Sequence, residues 1–316
     1  MKQYIRQRLL YLLPVLFGIT LLTFLLMQLP SDDAVDMMYR QSGAVSEEVK
    51  AAARAELGLN KPVAVQYISW LGHILTGDAG RSFISGQEVS GMFWQRLPAT
   101  VVITAGALFL TLLFSIPLGL LCGVRRNGAI DYLLRCLTFM GNSLPGFFIA
   151  FILLYVFALK LRLLPVMSDG RAGSYILPCL TLALPMTAKY TRYVREGTIS
   201  ELAQPYVVCA KMRGISFRRV LMQYVLKANL LTLTTLLALS LGSLLGGTAI
   251  VEMIFSIEGI GKMAVDAISM KDYPVIQAYV IWTSFIFTLV NLLADIAYHW
   301  LDPRIRYQGK EVPADD

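Results

Sequence analysis

Six apolar stretches alternate with charged segments along the chain: Leu9–Leu29, Leu97–Val124, Cys136–Leu159, Ala172–Ala188, Ala228–Val251 and Tyr273–Ala294. None of the six contains Asp, Glu, Lys or Arg. A helix needs about 20 apolar residues to cross the hydrocarbon core of a bilayer. The pattern therefore predicts about six membrane-spanning helices. The fourth stretch is the shortest, and its helix is expected to run on through Lys189 toward Arg195 as an exposed end. Pro117, Pro145, Pro178, Pro185, Gly246 and Gly247 interrupt these runs. Proline kinks a helix and glycine lets neighbouring helices approach closely, so they fit both plain bundle packing and a pathway that must open.

Two connecting segments carry a pattern of their own. Between the first two runs, Ser46 is placed to cap a helix through Glu47, Glu48 and Ala51-Ala52-Ala53 that ends near Gly58. Acidic residues in a first turn suit the helix dipole. Pro62, the mixed stretch Gln66–Leu71 and the turn-rich Gly77–Gly80 follow, which predicts a small ordered subdomain outside the membrane. The second segment, residues 189–227, contains Tyr206-Val207-Val208-Cys209-Ala210-Lys211-Met212-Arg213-Gly214. This reads as a short helix ended by a glycine in the left-handed position, with Ser216 placed to cap the next helix. Such a helix is either a solvated connector or a plug for a soluble partner.

Composition agrees with a membrane protein. Hydrophobic types make up 56% of the 316 residues and charged types 16%, whereas soluble domains carry about 25% charged residues. The net charge of +7 does not point to nucleic acid. The Lys and Arg residues gather beside the apolar runs: Lys2, Arg6 and Arg8; Arg125, Arg126 and Arg135; eight between Lys189 and Lys227; and Arg304, Arg306 and Lys310. By the positive-inside rule this puts both termini in the cytoplasm. The first run is longer than a signal-peptide core, and no small-residue cleavage site follows it, so it is expected to be retained. Cys122, Cys136, Cys179 and Cys209 form no Cys-x-x-Cys pair, and His73 and His299 are far apart, so no local metal cluster is expected. Gly261-Lys262 is followed by Met263 and makes no phosphate loop, so the chain is not expected to be an ATPase. An ion-coupled carrier or channel would place ionisable groups near mid-membrane. Asp295, one turn after Asn291 near the end of the last run, is read as structural.

Further residues set a wider pattern: Leu57-Gly58-Leu59, Gln66-Tyr67, Trp70-Leu71, Gly77-Asp78, Leu97-Pro98-Ala99-Thr100, Ile116-Pro117-Leu118-Gly119, Tyr206-Val207, Ala210, Gly214, Gly246-Gly247, Glu252, Phe255, Asp272-Tyr273-Pro274-Val275 and Leu301-Asp302-Pro303-Arg304. In order and spacing, over nearly the whole chain, these resemble the permeases of dipeptide, oligopeptide and nickel importers of the ATP-binding-cassette class. Length and the run from Leu97 to Gly119 lean toward the nickel branch.

The resemblance implies an all-α integral membrane protein of the type I importer fold. It further implies an N-terminal helix plus extracytoplasmic subdomain (1–96), a five-helix core (97–307) and a cytoplasmic tail (308–316). Tyr206, Val207, Ala210, Arg213 and Gly214 are implied to couple to an ATPase, with Ala210 at the tight contact. Pro117, Pro145, Gly246, Gly247 and Glu252 are implied to belong to the pathway or its gate. The family's Glu-Ala-Ala-x-x-x-Gly loop is degenerate here, only Ala210 and Gly214 matching. The implied partners are a second related permease, two ATPase subunits that bind ATP and Mg, an extracytoplasmic binding protein and membrane lipid. No cofactor is implied in this chain. The implied cargo is nickel or a nickel chelate, with di- or oligopeptide as the alternative. The implied location is a bacterial inner membrane.

Overall fold

The computed structural model describes residues 2–28, 34–39, 46–56, 58–168 and 170–301. Among these the fold is helical, and the nearest approach to a strand is an isolated bridge between Arg81 and Glu88. In chain order the helices are α1 (Lys2–Gln28), α2 (Ala34–Tyr39), α3 (Glu47–Glu56), α4 (Val63–Leu75), α5 (Val89–Val124), α6 (Ala129–Ser143), α7 (Gly146–Leu153), α8 (Ile176–Leu202), α9 (Pro205–Met212), α10 (Phe217–Val220), α11 (Leu226–Ile254), α12 (Ile260–Met270) and α13 (Tyr273–Leu301). A π-helical segment, Leu154–Lys160, continues α7, and another, Leu221–Val225, joins α10 to α11.

Apart from Leu29, which lies outside the described residues, and the Leu144–Pro145 break in the third, the six apolar stretches fall on helices. Among the described residues three helical segments are long and apolar enough to cross a membrane unbroken: Val89–Val124, Phe217–Leu244 and Tyr273–Ala294. Only 17–28% of their apolar windows are buried within the protein. Phe109, Leu113 and Leu239 point outward, as lipid-facing side chains must.

The third stretch departs from the expected kinked span. It is a pair of helices, α6 and α7, bent by 105°. The cause is Pro145. Proline cannot supply the amide its own turn requires, and it forces the residue before it toward extended backbone. Leu144 accordingly has φ −83° and ψ 132°, and α7 restarts directly after Pro145. Pro178 is milder because it sits in the first turn of α8, where an amide has no intrahelical acceptor anyway.

The chain divides into two compact units. The first comprises residues 1–100 and 258–289. Its core gathers Val89 and Phe93 of α5, Ile260, Met263 and Ala267 of α12, and Val275 and Ala278 of α13. Asp272, between α12 and α13, is buried there. Its carboxylate accepts hydrogen bonds from the Ser82 hydroxyl and, at 3.1 Å, from the Phe83 N–H. The Thr100 hydroxyl accepts the Ile260 N–H at 3.0 Å, tying the start of α12. In the same unit Asp36 of α2 pairs with Lys50 and Arg54 of α3. Ser46 caps α3 through its backbone carbonyl, which accepts the Val49 and Lys50 amides.

The second unit comprises residues 101–257 and the chain from 290. Its core is built on α8, with Tyr190 and Val194 packed on Leu120 of α5 and on Val225 and Leu233 of the α10–α11 rod. Tyr190 donates its hydroxyl to Ser240 at 2.9 Å.

Candidate functional site: the α8–α9 elbow

The candidate site lies wholly in the second unit, where α8 passes through a two-residue turn into the short helix α9. Gln204 occupies the N-cap with extended backbone (φ −68°, ψ 140°), and Pro205 takes the first helical position. Proline suits that place because its φ is preset and its missing amide would have no intrahelical acceptor. The other end closes as a Schellman motif. The Ile215 N–H reaches back to the Ala210 carbonyl at 3.3 Å and the Gly214 N–H to the Lys211 carbonyl at 3.0 Å. Gly214 has φ +80°, the left-handed conformation that this turn demands. The glycine exit expected from sequence is therefore present. Ser216 stands at the N-cap of α10 without a side-chain cap bond. Only its backbone carbonyl serves, accepting the Val220 N–H at 3.0 Å.

α9 is two-faced. Val207 and Ala210 are buried against Val220, with Leu202, Ile215 and Tyr224 around them. The small side chain of Ala210 therefore serves contact within the chain, and its expected place at an outside contact is not where the fold puts it. Tyr206 stacks 6.2 Å from Tyr224, and its hydroxyl donates to the Glu201 carboxylate. Lys211 lies 5.5 Å over the Phe217 ring. The outer face presents Val208, Cys209, Arg213 and above all Met212, which is 81% exposed. An exposed methionine beside apolar and basic side chains is an adaptable contact surface.

The polar half of α8 does not project as the free end expected from sequence. Tyr190, Thr191, Val194 and Thr198 are buried, because three helices grip it. The first is α5, which runs parallel to α8, Gly106, Gly119 and Gly123 meeting Cys179, Val194 and Thr198 in turn. A Cβ at Gly119 would stand 2.5 Å from the Val194 Cβ, and one at Gly123 would stand 2.5 Å from the Thr198 Cβ. Only glycine permits this approach, which maximises dispersion contact where no hydrophobic effect drives helices together.

The second grip is α6. Asp131, fully buried in its first turn, takes Arg195 of α8 in a bidentate pair, Nε to Oδ1 at 2.6 Å and a terminal guanidinium nitrogen to Oδ2 at 2.8 Å. The Asn127 N–H adds a third donor to the carboxylate at 3.0 Å. The third grip is α11. Asn229 Nδ2 donates to the Val225 carbonyl at 3.0 Å and approaches the Thr198 hydroxyl at 3.3 Å. Gly197 leaves room for the Asn229 amide, which would collide with any Cβ there.

Sequence reading named the elbow but not its anchors. Gly119-Leu-Leu-Cys-Gly123 is a Gly-x-x-x-Gly spacing and was legible as a close-approach motif. The Asp131–Arg195 pair was not legible, because 64 residues separate its members. Of the expected pathway residues, Pro117 is inside α5, Pro145 makes the α6–α7 break, and Glu252 is fully buried in α11, one turn beyond the buried Thr248. Gly246 and Gly247 are helical, but their surroundings lie outside the described residues, as do the Asp295 side chain and residues 302–316. Among the described residues no group of three or more His, Cys, Asp or Glu is gathered.

A grooved elbow on a gripped helix, in a bundle with lipid-facing runs, agrees with the comparisons. Residues 115–307 match the family described as binding-protein-dependent transport system inner membrane component, and residues 1–104 match the N-terminal region of such membrane components. This chain belongs to that family. It is a multi-pass permease subunit of an ATP-driven importer, and α9 lies within the region matched to the permease core. The nickel import system permease protein NikB of Staphylococcus aureus is 36% identical over 302 residues, covering 95% of this chain and 91% of that protein. This holds for the bovine strain RF122 / ET3-1 and for strain USA300. A chain of the methionine ABC transporter MetNI, solved in inward-facing conformations, superposes with a TM-score of 0.54 over 67% of this chain and 96% of that one. At 13% identity that likeness speaks for the fold alone.

Proposed function

We propose that this permease forms half of the translocation pathway for nickel, or a small nickel chelate, handed over by an extracytoplasmic binding protein. The second half comes from a related permease, and two ATPase subunits supply the energy. The observation that carries the cargo is the 36% identity, over 95% of the chain, to nickel import permeases. Uptake of radioactive nickel by cells expressing the whole transporter, with this permease present or deleted, tests it. Nickel accumulation that depends on this chain is the expected result. Dependence of dipeptide uptake on it, with nickel uptake unchanged, would move the cargo to peptide.

In this reading α9 seats on an ATPase, and α8 carries its displacement into the membrane. The support is the division of α9 into an anchored inner face and an exposed outer face, and the three-sided grip on α8. Both termini lie in the cytoplasm with the elbow, as the basic residues require. Met212→Asp puts a charge on the outer face without touching the Val207–Ala210–Val220 cluster. It is expected to leave the permease in the membrane, reduce copurified ATPase and abolish uptake. Gly214→Ala instead strains the exit turn by about 1 kcal/mol and is expected to reduce uptake partially. Normal uptake and normal ATPase recovery for Met212→Asp would remove α9 from the coupling role.

A further inference from the structure

α4 belongs to the segment expected, from sequence, to form a subdomain outside the membrane. Its surroundings within the first unit point elsewhere. Tyr67, buried, places its hydroxyl 2.9 Å from that of Thr20 in α1, and its ring lies 6.3 Å from Phe17 and 5.4 Å from Phe24. Trp70 lies 5.6 Å from Phe24. Ile74 packs on the core formed by α5, α12 and α13. These three positions fix one face of α4. They cross α1 between Thr20 and Phe24, inside the apolar run that ends at Leu29. At 1.5 Å per residue, the crossing lies about 8 to 14 Å in from the end of that run.

The rest of the helix surface divides sharply. Ala64, Ile68, Leu71 and Leu75 recur at i, i+4, i+7 and i+11 and form one stripe. Ile68 is 69% exposed and Leu75 79% exposed. Gln66, Ser69 and His73 lie on the other side, and Gln66 Nε2 donates to the Leu59 and Lys61 carbonyls. On α1, the helix against which α4 packs, Leu22, Leu25 and Leu26 are exposed as well. α4 itself contains no Asp, Glu, Lys or Arg.

We propose that α4 is an interfacial helix seated in the bilayer beside α1, its Ala64–Ile68–Leu71–Leu75 stripe in contact with lipid acyl chains and its Gln66–Ser69–His73 face toward the headgroups. Helices of this kind bury their apolar face roughly 5–10 Å into the boundary between headgroups and acyl chains, a range that overlaps the shallow end of the crossing. Tyr67 and Trp70 fall at the level where amphipathic rings concentrate in membrane proteins. The leaflet is the one reached by the C-terminal end of α1, the outer leaflet by the charge rule. The occupant follows from level along α1: Tyr67 and Trp70 fix α4 against Thr20 and Phe24, inside the same apolar run that exposes Leu22, Leu25 and Leu26, so its stripe meets the solvent that those leucines meet.

The test uses nitroxide side chains at Ile68→Cys, Leu75→Cys, Ser69→Cys and His73→Cys, one at a time, in an otherwise cysteine-free permease. The complete transporter is reconstituted in phosphatidylethanolamine–phosphatidylglycerol vesicles. Collisions with oxygen report lipid, and collisions with chromium oxalate report water. The expected result is a several-fold excess of oxygen over chromium oxalate collisions at 68 and 75, and the reverse at 69 and 73. Water access at all four positions would place α4 outside the membrane and overturn the proposal. Exclusion of both reagents at 68 and 75 would show that protein covers the stripe and would overturn it equally. Neither outcome bears on the cargo.

Discussion

Asp131 and Asp272 are both buried carboxylates, and each joins segments far apart in sequence, but they are held differently. Asp131 meets a guanidinium in a bidentate pair plus one backbone amide. Asp272 accepts one hydroxyl and one backbone amide. The first ties two helices, α6 and α8, along whose faces a displacement can pass. The second ties a loop, around Ser82, to the turn between two helices. An ion pair removed from water is costly to break on one side only, so it makes two helices move as one body. A pair of neutral donors fixes a loop with a smaller penalty for release. The same residue type thus builds a rigid joint in the unit that carries the elbow and a plain clasp in the other.

The largest expected effect lies beside the rigid joint. Gly123→Val drives a side chain into Thr198 and is expected to cost about 3 kcal/mol or more, with loss of folded permease from the membrane. Gly91→Ala, on the same helix with nothing within 4 Å of its added Cβ, is the control and is expected to be neutral. Size-exclusion profiles after heating would show whether the seam is as tight as the geometry states.

Next comes Asp131→Asn, which leaves Arg195 without its counter-charge and is expected to destabilise by about 3 kcal/mol. Uptake is expected to fall while ATPase subunits still copurify. The double change Asp131→Leu with Arg195→Met removes both charges and should recover stability but not uptake. Full recovery of uptake would show that the pair does no more than hold α6 to α8.

Asp272→Ala is expected to cost about 1–3 kcal/mol through its two orphaned donors. Faster protease cleavage between Arg81 and Glu88 would report it. A cost equal to that of Asp131→Asn would erase the distinction between joint and clasp.

The smallest effect belongs to an exposed pair in the first unit. Lys262 bonds Glu258 at 2.5 Å, and that bond, with the Arg96 charge nearby, holds the Glu258 carboxyl below its usual value of 4.5. A depressed carboxylate stabilises above its unfolded pKa, and the gain is lost as pH falls through the lower folded value. Because Glu258 is largely exposed, the pair is expected to contribute under about 1 kcal/mol. Lys262→Met should therefore lower stability at pH 7 by under about 1 kcal/mol and flatten the shallow loss of stability below about pH 4.5, so that melting temperatures of variant and parent converge as pH falls.

Much of the molecule follows from local pattern alone. Runs free of charge and about 20 residues long must be helices in lipid, because hydrocarbon offers no partner to a backbone amide. Gly214 closing α9 was legible because φ preference is a property of one residue and its neighbours; Pro205, which opens the helix, carries the same kind of local signal but was not singled out in the sequence. The break at Pro145 was half legible. Proline announces an interruption, but what lies on either side decides between a kink and a 105° bend.

The tertiary structure alone decided the rest. Ala210 reads as a small contact residue on any face, and only the position of Val220 shows that it turns inward. Lys189 toward Arg195 reads as an exposed helical end, and only the glycines of α5, Asp131 of α6 and Asn229 of α11 reveal it as gripped. α4 reads as part of the segment between the first two apolar runs, and only the fold shows Tyr67 and Trp70 packed against Phe24 of α1. Backbone preference and hydrophobic period act within a few residues of the chain, whereas pairing of charges, close approach of helices and depth in a bilayer depend on groups that the fold brings together from far apart in it.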